Sequence, residues 1–110
     1  MKQLLWVDDT RNPFEDDWLN FSPIGKNCKV YWAQSHKDAV DYLEKTWPDV
    51  ICLDHDLGEE KSGYDIAKYI VSRCINDNLK LPLFVSQSAN PIGRNNILSL
   101  FQNFNKFQND

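Results

Sequence analysis

Carboxylates gather at two places in this chain. Asp8-Asp9 directly follows Leu4-Leu5-Trp6-Val7, and Asp54-His55-Asp56 directly follows Val50-Ile51-Cys52-Leu53. Each apolar run is continuous rather than alternating, the pattern of a strand buried on both faces of a parallel sheet. Neighbouring strands lie ~4.8 Å apart, so the two strands as neighbours would bring Asp8, Asp9, Asp54 and Asp56 together at one end of the sheet. Two carboxylates ~4 Å apart repel by ~4 kcal/mol at an effective dielectric near 20, and a divalent cation relieves that repulsion. Oxygen ligands completed by water suit Mg²⁺ or Mn²⁺, whereas zinc asks for more His or Cys. Taken singly, each Asp is equally a turn former or a helix cap. The convergent set is what points to a metal.

The elements that must position these acids alternate strand and helix four times. After the first strand, Arg11-Asn12-Pro13 breaks the chain, and Phe14, Trp18 and Phe21 recur at helix-like spacing until Pro23 and Gly25, which predicts a short first helix. Cys28 to Ala33 reads as a second strand. Ser35 followed by Asp38 resembles an N-cap with an acidic first turn, opening a helix to about Trp47 with Ala39, Val40, Leu43 and Trp47 on one stripe. Gly58 and Gly63, read as turn positions with positive φ, bracket an acidic loop after the third strand. Ile66, Ala67, Ile70, Val71 and Cys74 mark the next helix, Leu83-Phe84-Val85 a fourth strand, and Ile97, Leu98, Phe101 and Phe104 a last helix. This order predicts an α/β fold, a flavodoxin-like three-layer sandwich over residues 1–110 with a parallel sheet of order 2-1-3-4. Ligands bind such sheets outside the carboxyl ends of the strands at the switch point, here between strands one and three, where the acids are. Strand four then forms an edge that the last helix or a second copy in a homodimer has to cover.

Composition narrows the function classes. At 110 residues with 42% hydrophobic residues, the chain is sized for one domain with a packed core. Twelve Lys and Arg against sixteen Asp and Glu give a net charge of −4, which disfavours duplex DNA. No apolar run nears the ~20 residues of a membrane span, and the N-terminus meets carboxylates too early for a signal peptide, so the expected location is cytoplasmic. Cys28, Cys52 and Cys74 share no CxxC spacing and read as reduced packing residues.

The runs Leu-Trp-Val-Asp8-Asp9, Pro-Asp-Val-Ile-Cys-Leu-Asp54 and Ser62-Gly63-Tyr-Asp-Ile-Ala resemble the receiver domains of response regulators over almost the whole chain. That resemblance implies Mg²⁺ binding by the acid pair and Asp54, with the backbone carbonyl of Asp56 as a further ligand. It also implies Asp54 as phosphoacceptor and Ser86 as the hydroxyl that contacts the phosphoryl group. The receiver's fifth strand, which ends in a Lys, has no counterpart here, and only Lys106 lies nearby. A closer resemblance is to the cyclic-phosphate processing receiver domain. It rests on Asp8-Asp9-Thr10-Arg11, Asp54-His55-Asp56-Leu57-Gly58, and Gln87-Ser88-Ala89-Asn90-Pro91-Ile92-Gly93 followed by Asn96. Gln87 stands where that family commonly has His, and Gln hydrogen-bonds but does not titrate.

Several remaining polar residues suit a phosphate. Arg11 can fork onto two oxygens, and Ser88, Asn90 and the backbone around Gly93 can donate at the start of the last helix. The same family motif adds Asn96. His55 reads as a base oriented by Asp54 or Asp56, which makes these three the candidate catalytic group. Each has a plainer reading: Arg11 as a surface ion pair, Asn90-Pro91 as turn chemistry, His55 as a residue that fixes its loop. Three functions follow from the sequence. The first is a Mg²⁺- or Mn²⁺-dependent site that binds or hydrolyses a cyclic phosphate on a nucleotide or RNA end, a phosphoesterase in the second case. The others are a stand-alone phosphoacceptor receiver and a receiver fold used as a protein-interaction module.

Overall fold

The structure, a computed structural model, describes residues 1–109. Its elements are β1 (Gln3–Val7), a single 3₁₀ turn (Trp18–Phe21), β2 (Lys29–Ala33), α1 (His36–Lys45), β3 (Val50–Leu53), α2 (Gly63–Asn76), β4 (Leu83–Val85) and α3 (Pro91–Gln108). The four strands make one parallel sheet in the order β2-β1-β3-β4. The expected fold class and strand order are therefore observed. β1 lies between two partners and is sealed on both faces, with Leu4, Leu5, Trp6 and Val7 all at zero exposure, which is why its sequence carries no alternation.

The pleat sorts the core into two clusters. Leu5, Val7, Ile51 and Leu53 face one way and meet Ala39 and Leu43 of α1, Ile66, Ala67, Ile70 and Cys74 of α2, and Ile97 and Phe101 of α3. Leu4, Trp6, Val50 and Cys52 face the other way and meet Trp18, Leu19, Ile24 and Trp32. Right-handed crossovers explain the division. The β1→β2 connection runs opposite in direction to β2→β3 and β3→β4, so it must lie on the opposite face. All three helices share one face, and the connection between β1 and β2 covers the other.

That connection is where the predicted first helix fails. Asp16 and Asp17 both adopt left-handed backbone conformations (φ 52° and 56°), which no α-helix passes through, leaving only the 3₁₀ turn. Trp18 and Leu19 pack onto the sheet, whereas Phe14 and Phe21, which share helix-like spacing with Trp18, are exposed.

The start of α1 carries the expected cap, and α2 opens on a capping box that the sequence reading did not assign. Ser35 Oγ accepts from the Asp38 N–H at 3.1 Å, and the Asp65 carboxylate accepts from the Ser62 N–H at 2.8 Å. α1 stops at Lys45, before Pro48, and the Trp47 indole instead donates to the Lys80 carbonyl. All three cysteines are free; burial pushes the Cys52 thiol up to about 12 and Cys74 up to about 11. β4 is three residues long at the sheet border, with Leu83 exposed and Phe84 against Phe101 of α3. Among the described residues, no helix is long and apolar enough to cross a membrane.

Gly63 has a different role from the expected one. It is helical, not at positive φ, and a Cβ there would lie 1.9 Å from the Asp54 carbonyl oxygen. The first turn of α2 thus rests directly on the backbone that carries Asp54. Backbone cannot yield as a side-chain tip can, so Gly63→Ala is expected to destabilise the protein by about 3 kcal/mol in urea unfolding. A loss below about 0.5 kcal/mol would show that this approach is loose.

Candidate metal and phosphate site

The register of the central strands builds the site. Val7 pairs with Leu53 across β1 and β3, and the ladder continues one step through the Asp54 N–H, which donates to the Val7 carbonyl at 2.9 Å. The next residues on the two strands, Asp8 and Asp54, are therefore forced side by side. Asp9 joins them: one carboxylate oxygen from each of Asp8, Asp9 and Asp54 lies within 4.8 Å of the others. At that separation each ionised pair repels by about 3 kcal/mol at an effective dielectric of 20. Gly58, at φ +68° as expected, brings its loop against the Asp9 carboxylate, where a Cβ would meet Oδ2 at 2.9 Å.

Asp8 is fully buried and held from several sides. Its Oδ1 accepts from the Arg11 N–H (2.8 Å) and the Thr10 N–H (3.0 Å), which curls the chain after β1. Its Oδ2 faces the Arg11 guanidinium (3.4 Å) and the Gln87 amide Nε2 (3.3 Å), and its carbonyl accepts from the Trp32 indole at 2.8 Å. Asp54 is nearly as buried but less well compensated. Burial first, and the Asp8 charge second, push its carboxyl from 3.8 up to about 6, against the opposing pull of the Ser88 hydroxyl and Arg11. The Arg11 Nη1 stands 3.8 Å from the Asp54 carboxylate.

Arg11 is thus an ion-pair residue, as its plainer reading had it, but inside the acidic pocket. Its guanidinium also lies over the Trp18 ring, 5.3 Å from the centroid, and its carbonyl accepts from the Trp6 indole at 2.9 Å.

The loop after β4 supplies the opposite wall. Gln87 is buried, and its Nε2 donates to both the Val7 carbonyl (3.0 Å) and Asp8. Both partners are acceptors, so the amide orientation is determined, and Oε1 remains buried without a hydrogen-bond partner. Ser88 is buried beside Asp54, with its Oγ accepting from the Asn90 N–H at 3.1 Å and its carbonyl held by Arg94. Thr10, Gln87 as the anchor of Asp8, Trp18, Trp32 and Arg94 are the parts of this arrangement that reading the sequence did not assign. The Asp8-x-Thr-Arg turn was the one available signal among them.

Several expected phosphate residues are placed differently. Ser86 Oγ donates to the Leu53 carbonyl at 2.7 Å, tying β4 to β3. Gly93 gives its N–H to Oδ1 of Asn90, the N-cap of α3 (3.0 Å), so that donor is already used. Its missing side chain makes room for the His55 imidazole, which a Cβ would meet at 2.3 Å. Asn96 is exposed in the second turn of α3. The exposed Asp56 carboxylate is not part of the cluster of three acids; it contacts His55 Nδ1 (2.9 Å) and Asn90 Nδ2 (3.3 Å). That contact with His55 holds the Asp56 carboxyl below its usual range. Of the two acids expected to orient His55, the one bonded to it is Asp56.

The raised Asp54 value sets a pH dependence. Protonated Asp54 favours the folded state fully below about pH 4, and this contribution is lost as pH rises through about 6. With chelator present at neutral pH, Asp54→Asn should therefore unfold at higher urea, a gain of about 1–2 kcal/mol after solvent screening. The gain should vanish near pH 4. A gain that persists there, or a loss at neutral pH, would show that the Asp54 charge is not costly.

No curated protein matches the chain. Among solved structures, the receiver domain (CheY-like) of a response regulator from Methylobacillus flagellatus is similar over 92% of this chain and 81% of its own, at 22% identity and a TM-score of 0.64. The Mn²⁺-bound form of response regulator Rcp1 is similar over 98% and 92%, at 20% identity and a TM-score of 0.56. A yeast Spc42 trimeric coiled-coil segment fused to another structure matches over 90% of this chain, at 26% identity and a TM-score of 0.60; the chain spans 63% of that fusion. These likenesses establish a receiver-type fold. The sequence pattern of the cyclic-phosphate processing receiver domain matches residues 3–103, from the first residue of β1 into α3, and the chain belongs to that family.

Proposed function

We propose that the pocket binds a divalent cation, Mg²⁺ or Mn²⁺, on Asp8, Asp9 and Asp54, and with it the cyclic phosphate of a nucleotide or RNA end. The observation that carries this reading is the convergence of three carboxylates, two of them (Asp8 and Asp54) against the one guanidinium of Arg11, with the Asp54 carboxyl pushed up to about 6. One positive charge does not balance three negative ones. The donor set is all oxygen, which fits a hard cation, and the buried Gln87 Oε1 offers a further acceptor to a donor brought in by a ligand. The family's name and the Mn²⁺-bound state of Rcp1 support the same reading.

When bound, such a cation supplies Lewis-acid polarisation of a phosphoryl oxygen. The chain's own residues do the rest. Arg11, held by Trp18 and only loosely bonded to the acids at 3.4 and 3.8 Å, can turn its fork to phosphate oxygens. The Ser88 hydroxyl stands beside Asp54 as a neutral donor. His55, packed on Gly93 and bonded through Nδ1 to Asp56, is positioned as a base for water. Gln87 anchors Asp8 and moves no proton, so we infer that the site binds well and turns over slowly or not at all.

Trp6 reports on metal entry because its indole is tied to the Arg11 backbone. Titration with Mn²⁺ or Mg²⁺ should give a saturable change in tryptophan fluorescence and a higher melting temperature, both abolished in Asp54→Asn. Absence of a saturable change in either signal would remove the metal from the site.

Binding of 2′,3′- or 3′,5′-cyclic nucleotides should require the metal and exceed that of linear nucleotides in equilibrium dialysis. Arg11→Ala should weaken it by about tenfold or more, as expected for loss of a charged phosphate contact. Any slow hydrolysis should fall more than binding in His55→Ala and rise in Gln87→His. Equal affinity for cyclic and linear species, or none for either, would leave this function without support.

A further inference from the structure

The connection between β1 and β2 exposes more aromatic surface than its packing role requires. Trp18, Leu19 and Ile24 of this connection cover the sheet, yet Phe14 and Phe21 stand 67% and 62% exposed. Single exposed apolar side chains are ordinary, but these two occur in one short segment that begins at Arg11. The Phe21 ring lies 5.5 Å from Trp18, and Trp18 lies 6.4 Å from the buried Trp6, so the rings form a continuous series from the sheet to solvent.

Arg11 joins this series to the acidic pocket. Its Cζ sits 5.3 Å from the Trp18 centroid, while Nη1 of the same guanidinium sits 3.8 Å from the Asp54 carboxylate. Since Cζ and Nη1 are one bond apart, the Trp18 ring is at most about 10 Å from the Asp54 oxygen. The Phe21 centroid, 5.5 Å from that of Trp18, is then within about 16 Å of the same oxygen, an interval in which a metal, a cyclic phosphate, a ribose and a stacked base fit end to end.

We propose that Phe21, backed by Trp18, forms a stacking platform, with Phe14 of the same exposed segment beside it in the chain, for the base of a nucleotide whose cyclic phosphate lies against Arg11 and the acids. The inference rests on the cyclic-phosphate reading of the site and adds to it a preference for ligands that carry a base, purines first, over small cyclic phosphates without one. Aromatic faces accept any base and favour the larger purine surface, so the platform grades affinity by base size without reading hydrogen-bond edges. Arg11 serves both parts: one face of its guanidinium is held by Trp18, and its N–H groups serve the phosphate.

Calorimetric titration with Mn²⁺ present compares 2′,3′-cyclic AMP, 2′,3′-cyclic UMP and glycerol 1,2-cyclic phosphate, which lacks a base. The expected order is adenine above uracil above base-free, with about tenfold or more between the first and last. Phe14→Ala combined with Phe21→Ala alters only exposed side chains. It should bring cyclic AMP down to the base-free affinity while leaving base-free binding and the Mn²⁺ titration unchanged. Equal affinity for all three ligands in the unaltered protein overturns the platform and leaves the cyclic-phosphate reading standing. Failure of all three to bind while Mn²⁺ still does so removes that reading and the platform with it.

Discussion

The Val7–Leu53 pairing is the constraint on which the site depends. Parallel strands in register put whatever follows them at one level, and here aspartates follow both. A hairpin would have placed these residues at opposite ends of the sheet. The resulting repulsion, about 3 kcal/mol per ionised pair, is a large fraction of what holds a domain of this size together. Much of the surrounding structure works against that cost. Thr10 and Arg11 donate backbone N–H groups to Asp8, Gln87 adds an amide, and Ser88 adds a hydroxyl to Asp54. Asp8 receives more of these hydrogen bonds than Asp54, and burial and the neighbouring charge of Asp8 push the Asp54 carboxyl up to about 6.

Much of the architecture was legible because burial leaves a signature in residue type. Leu4–Val7 and Val50–Leu53 are continuous apolar runs because β1 and β3 are covered on both faces, and each ends at the Asp that reaches the pocket. The parallel sheet followed from the alternation of strands and helices. The β1–β2 connection was misread for a physical reason. Phe14, Trp18 and Phe21 have helical spacing, but Asp16 and Asp17 take left-handed conformations that spacing alone does not reveal.

The site was legible in its charges and much less so in its contacts. Asp8, Asp9, Asp54 and Arg11 come together because their positions follow from strand ends and one tight turn. Gly63 and Gly93 are glycines because a carbonyl and an imidazole from the Asp54–His55 step occupy the space of their side chains. Such tertiary approaches leave no periodic trace in the chain. Ser86 and Gly93 are suitable phosphate contacts by residue type, yet structural hydrogen bonds to Leu53 and Asn90 already use their donors. In a loop this short, the same polar groups that would serve a ligand are needed to satisfy the backbone, and the backbone has prior claim.

Two faces of the sheet divide the work. The helical face holds the apolar side chains of α1, α2 and α3, whose contacts are regular and whose glycine at the start of α2 fixes the Asp54 backbone. The other face is closed by an irregular connection with one 3₁₀ turn, and that connection brings Arg11 and Trp18 to the pocket. A helix there would have satisfied its own backbone and buried one continuous stripe. The irregular path instead turns Trp18 inward and Phe14 and Phe21 outward within a few residues. Rigid elements hold the charges in register, while the segment least constrained by hydrogen-bond repeats carries the exposed aromatic side chains proposed to meet a base.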